Sequence, residues 1–165
     1  MITVGIDPGK TGAVSIYAHN MWSVSDCPTC AVERKSSAKA GKSVRNVPDA
    51  ALMSELLRPL VFEDEVHVYI ERVGVMPREG AVGAFSFGRG YGIWLGILAA
   101  LRLPHTLVTP QSWKKAMVGT GKSKDESRQR ALALFPYLAK DLGLKKHDGR
   151  ADALLIGEYG RVHKG

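Results

Sequence analysis

Three short apolar runs stand in close succession at the start of the chain, over residues 2–6, 13–17 and 21–25. Each has the length of a strand. The links between them contain Gly or Asn and are too short to hold a helix, so the opening reads as an antiparallel meander. The first run ends at Asp7-Pro8-Gly9, a turn signal. The period then changes. Residues 48–62 show helical spacing through Leu52, Leu56 and Leu60, with Pro48 near the start. Residues 66–70 alternate as a strand ending at Glu71, a helix is predicted from the mid-80s to Leu101, and residues 105–108 form a short strand. Thr109-Pro110 has the form of an N-cap and first-turn proline, opening a short helix to Met117. Ser123 with Glu126 suggests a capping box for a helix to about Leu138, and a last helix runs from near Asp148 toward Tyr159. This order implies an α/β fold, a mixed sheet flanked by helices, as one domain over residues 1–165.

Composition narrows the function. The 165 residues carry a formal charge of +7, which favours a polyanionic partner, nucleic acid first and an anionic membrane surface second. No apolar run is long enough to span a bilayer, and no basic n-region precedes the first apolar stretch, so the expected setting is cytoplasmic, with no membrane partner. Residues 33–45 hold Arg34, Lys35, Lys39, Lys42 and Arg45 among small residues and read as a flexible basic loop.

Four acids stand where such a fold places chemistry. Asp7 and Glu71 end the first and fourth strands, and Asp148 and Asp152 share a face of the last helix, one turn apart. If the two strands are neighbours and the helix lies beside them, the carboxylates converge. A converged cluster repels itself unless hard cations neutralise it, and Mg²⁺ or Mn²⁺ suits oxygen ligands. Two such ions can clamp a phosphodiester for in-line attack by water. Singly, each acid has an ordinary reading as well: a turn former at Asp7, an ion pair of Glu71 with Arg72, or acids favoured at a helix start.

These residues resemble a known family. Gly5-Ile6-Asp7-Pro8-Gly9 with Thr11-Gly12 looks like the opening of the RuvC-type Holliday junction resolvases, a branch of the RNase H-like superfamily. Ile70-Glu71-Arg72-Val73, the Gly88-Arg89-Gly90-Tyr91-Gly92 segment, Thr109-Pro110 with Trp113-Lys114-Lys115 and Gly119-Thr120-Gly121-Lys122, and Ala151-Asp152-Ala153-Leu154 resemble that family's later motifs, in order, over nearly the whole chain. The resemblance implies an RNase H-like mixed five-stranded sheet. It also implies a homodimer, two Mg²⁺ ions (or Mn²⁺) per active site, and paired symmetric nicks in a four-way DNA junction that leave 5′-phosphate and 3′-hydroxyl ends. It carries Asp7, Glu71 and Asp152 over as metal ligands. The fourth acid stands three residues before the final Asp in the family, where this chain has Gly149; Asp148 is the candidate, with His147 behind it. By the same analogy Lys115 and Lys122 are the catalytic lysines. A segment around residues 27–46 is extra to the bacterial pattern and suggests a phage or prophage member.

The candidate DNA contacts are Arg72, Phe85, Phe87, Arg89, Lys114, Lys115, Lys122 and Lys124. Lysines would neutralise phosphates, and exposed aromatics would stack on unpaired bases. Their ordinary roles are a solvated basic surface and the core. Gly88, Gly92 and Gly96 leave one helix face smooth, for a dimer seam or for packing within the chain. Gly121-Lys122-Ser123 imitates the end of a phosphate-binding loop, but the first glycine of that motif would fall at Ala116, so no nucleotide cofactor is expected. Cys27 and Cys30 make half a zinc site at most and read as ordinary thiols in a loop. Competing functions are another RNase H-like nuclease on branched DNA or RNA–DNA hybrids, a non-catalytic nucleic-acid-binding module, and an actin-like phosphotransferase; the last normally needs two such domains.

Overall fold

The strand β1 (Ile2–Asp7) is the middle of the molecule, and its two faces explain the layers around it. Val4 and Ile6 are buried on one side, against Met53, Leu57, Val68, Trp94 and Leu98. Thr3 and Gly5 face the other way, where the last helix lies. The structure is a computed structural model that describes residues 1–9, 11–34, 43–74, 80–119 and 125–163.

The strand β2 (Ala13–Ala18) pairs antiparallel with β1, and β3 (Met21–Asp26) pairs antiparallel with β2. The positive φ of His19 and Asn20 makes the tight reversal between them. On the other side β6 (Val66–Glu71) runs parallel to β1, and β7 (His105–Val108) parallel to β6. The sheet order β3-β2-β1-β6-β7 is the expected mixed five-stranded sheet. Helices α1 (Ala50–Leu57) and α2 (Ala81–Ala100) cover one face. The other face carries α3 (Pro110–Met117), α4 (Glu126–Leu134), the single turn α5 (Ala139–Leu142) and α6 (Asp148–Val162).

Helix α6 presses directly on β1. A Cβ on Gly5 would run into the Ala153 carbonyl and the Gly157 backbone, so side-chain-free residues on both elements let them touch. Ser15 Oγ donates to the Ala153 carbonyl at 2.8 Å and ties β2 to the same helix.

Several expectations are corrected. The basic stretch at 33–45 is not wholly loop: β4 (Thr29–Arg34) and β5 (Ser43–Pro48) form a separate antiparallel ribbon, while residues 35–42 lie outside the described residues. Strand pairing needs only backbone groups, so a solvated, charged ribbon escapes a reading based on composition. Pro48 ends β5 and does not open the helix; Asp49 caps α1 by accepting from Ala51 and Leu52 N–H. The buried face of that helix runs through Met53 and Leu57, and Leu52 is exposed. Helix α2 begins at Ala81, earlier than expected. Helix α4 stops before Pro136, which cannot continue it, and a 3-10 turn (Pro136–Leu138) follows. Asp125 stands at the N-cap of α4, and Ser123 lies outside the described residues. Cys30 is in β4, not a loop, and neither thiol is in a disulfide. Among the described residues nothing lies within 4 Å of a Cβ placed on Gly88, Gly92 or Gly96.

Candidate active site

Asp7 and Glu71 are the last residues of adjacent parallel strands, whose register pairs Ile6 with Ile70 just before them. Both carboxylates therefore leave the sheet at the same edge. Asp152 reaches that edge from α6, between the buried Ala151 and Ala153. Three elements that are distant in sequence bring three acids into electrostatic contact.

Their ionisation records that contact. Burial raises Asp7 to about 7; the charges of Asp152 and Glu71 add to the rise, while the Gly9 N–H and Lys114 oppose it. Burial also raises Asp152 to about 6, helped by Glu71 and Asp148 and opposed by a Ser127 hydrogen bond and Lys114. Each carboxylate has a donor of its own. Gly9 N–H donates to Asp7 Oδ1 at 2.9 Å, and the Trp113 indole donates to Glu71 Oε1 at 2.9 Å. Asp152 Oδ1, by contrast, is buried without a hydrogen-bond partner among the described residues. Among the described residues no three His, Cys, Asp or Glu are arranged to hold a metal ion as they stand. The oxygen-only donor set, its accumulated charge and the orphaned Asp152 oxygen suit a hard divalent cation.

Asp148 is exposed, one turn before Asp152 on α6, and its charge acts on Asp152. It stands at the rim of the half-buried trio. His147 is buried and lines a cavity of about 330 Å³ with Pro8, Gly9, Asn46 and Phe87. Gly149 cannot be exchanged for an acid without cost, because a Cβ there would strike the Thr11 carbonyl and Gly12.

Among the described lysines, Lys114 is the one whose charge acts on both Asp7 and Asp152, and its Nζ lies 5.1 Å over the Trp113 ring. Lys115 is exposed on the same helix, and Lys122 and Lys124 lie outside the described residues. Arg72 and Arg89 are exposed. Phe85 is 77% exposed, whereas Phe87 is half-buried in the cavity wall. Sequence reasoning missed Trp113, Ser127 and Cys27 as neighbours of the acids. Cys27 Sγ lies 3.6 Å from the Asp7 carbonyl, and burial pushes its thiol up to about 12, which disfavours the thiolate. The one available signal was Trp113 itself, since a buried indole N–H must find an acceptor.

No family model matches the chain. Over 150 residues it is 32% identical to the chloroplastic Holliday junction resolvase MOC1 of Chlamydomonas reinhardtii. That match takes in 81% of this chain but only 17% of the longer relative. Among solved structures, T. thermophilus RuvC in complex with Holliday junction substrate matches with a TM-score of 0.52 at 19% identity, over 99% of this chain and 96% of that one. A second Thermus thermophilus RuvC structure has a TM-score of 0.47 at 21% identity, over 98% and 96%. The architecture described above is therefore the RuvC form of the RNase H-like fold.

Proposed function

We propose that this chain is a divalent-metal-dependent DNA endonuclease that resolves four-way junctions as a homodimer, by paired symmetric nicks leaving 5′-phosphate and 3′-hydroxyl ends. The observation that carries the reading is the meeting of Asp7, Glu71 and the unpartnered oxygen of Asp152 at one sheet edge. The sequence match to a Holliday junction resolvase and the fold match to a junction-bound RuvC support it.

Asp7, Glu71 and Asp152 would hold two Mg²⁺ or Mn²⁺ ions, with Asp148 at the rim. Bound there, the ions supply Lewis acidity toward the phosphate and a lowered pKa for water. The protein's own part is binding and placement. Lys114 sits where it can offset charge gathering on the phosphate, as a fixed cation beside the acids. Lys115, Lys122, Lys124, Arg72 and Arg89 would grip the backbone. Phe85, standing out from the start of α2, offers a stacking face for a base unpaired at the crossover.

The test is incubation with a synthetic four-way junction, with and without Mg²⁺, beside linear duplex, a three-way fork and an RNA–DNA hybrid. Symmetric, metal-dependent nicking of the junction that Asp7→Asn abolishes while DNA binding survives is the expected result. Cutting of the fork or hybrid alone would overturn the substrate. Tight binding without cleavage of any substrate would overturn the activity.

A further inference from the structure

The geometry points to Trp113 as a positioning residue for the cation site, holding Glu71 through its indole edge and Lys114 through its ring face. The inference rests on the reading of Asp7, Glu71 and Asp152 as cation ligands. Trp113 is fully buried, yet its N–H reaches out of the core to Glu71 Oε1 at 2.9 Å. A hydrogen bond to a carboxylate is charge-assisted, and it selects one of the two oxygens. With Oε1 held, Oε2 is the oxygen free to meet an ion. The other two tryptophans serve elsewhere: Trp22 donates to Glu158 at 3.2 Å, and Trp94 bonds the Cys27 side chain.

The ring cannot drift, because α3 is fastened at both ends. Thr109 caps its start, accepting from Ser112 N–H at 3.2 Å, and Pro110 occupies the first turn. At its end Met117 is buried, and Arg130 Nε donates to the Met117 carbonyl at 2.9 Å. The Lys114 ammonium stands over the ring face, so a single rigid plate sets both an anion and a cation of the site. Partners that orient a metal ligand in this way typically change metal affinity by about 10–100-fold when removed.

The experiment follows metal binding without catalysis. The indole ¹H–¹⁵N signals of the full chain are recorded during Mg²⁺ titration and in Glu71→Gln. Mn²⁺ uptake is measured by electron paramagnetic resonance in wild type, Trp113→Phe, Glu71→Gln and the double variant. Thermal unfolding in EDTA establishes that each is folded. The Trp113 indole signal is expected to move with Mg²⁺ and in Glu71→Gln. Trp113→Phe is expected to weaken Mn²⁺ binding at least about 10-fold, and the double variant to bind no worse than Glu71→Gln alone. A Trp113 signal indifferent to both Mg²⁺ and Glu71→Gln overturns the inference, and should Trp113→Phe fail to fold, this signal decides the matter by itself. Mn²⁺ uptake unchanged in a folded Trp113→Phe also overturns it, with the site reading intact. A wild type that takes up no Mn²⁺ overturns the site reading and the inference together.

Discussion

Asp7 illustrates how much burial does at single residues. An acid raised to about 7 keeps its proton in the folded chain over a range where the unfolded chain has released it. The stability this contributes is full below the usual carboxylate range and is lost as pH rises through about 7, and Asp152 adds the same trend up to about 6. Calorimetry in EDTA should therefore show Tm falling between pH 4 and pH 8. Asp7→Asn should raise Tm at pH 8 by several degrees, since a cost on the order of a few kcal/mol disappears. A fall in Tm would contradict the buried charge. Cations compete with protons for these oxygens, so the Mg²⁺ concentration for half-maximal cleavage should drop as pH rises from 6 to 8. The fourth acid is tested at this scale too. Gly149→Ala should cost about 1–3 kcal/mol in urea unfolding, by forcing a methyl group against Thr11. Asp148→Asn, at an exposed rim position, should slow cleavage less than Asp152→Asn in single-turnover assays.

Among the elements, α6 has the largest influence on the site, because it carries Asp152 and lies on β1 with almost no side chain between them. Gly157 also faces the Trp22 ring, where an added Cβ would come within 2.5 Å of Cη2. Gly157→Ala should push the helix away from the sheet. Stability and Mn²⁺ affinity should then fall together, although Gly157 touches none of the acids; an unaltered Mn²⁺ affinity would show that the helix shifts without carrying Asp152. The Asp49 N–H to Pro28 carbonyl bond closes the base of the ribbon β4–β5, and Arg45 donates to Ser86 Oγ of α2 at 2.9 Å. The ribbon therefore leans on α2 near the cavity beside the Asp7 turn.

Across the whole molecule, a charge of +7 surrounds a recessed acidic centre. Junction affinity should fall steeply between 50 and 200 mM salt, as expected when several phosphate contacts release counterions. The proposed homodimer has a suitable face in α2, where Gly88, Gly92 and Gly96 meet nothing among the described residues and Val82 is exposed. Gly92→Glu should leave a folded monomer by sedimentation, one that nicks junctions singly and not in pairs. A dimer unaffected by this change would place the seam elsewhere. Among the described residues no helix is long and apolar enough to cross a membrane.

Much was legible in the sequence because it is written locally. The three opening strands, the Thr109-Pro110 cap, and acids ending two strands and lining one helix face follow from side-chain period and turn chemistry, which depend on near neighbours. The order of elements then limited the sheet to few topologies. What the tertiary structure decided depends on chain segments far apart. The ribbon needed two charged strands to find each other's backbone. The action of the Lys114 charge on Asp7 and Asp152, the closure of position 149 by Thr11, and the bond from Trp113 to Glu71 all need a partner from another element. The raised ionisation of Asp7 and Asp152 comes first from desolvation, which no residue possesses until the layers close around it.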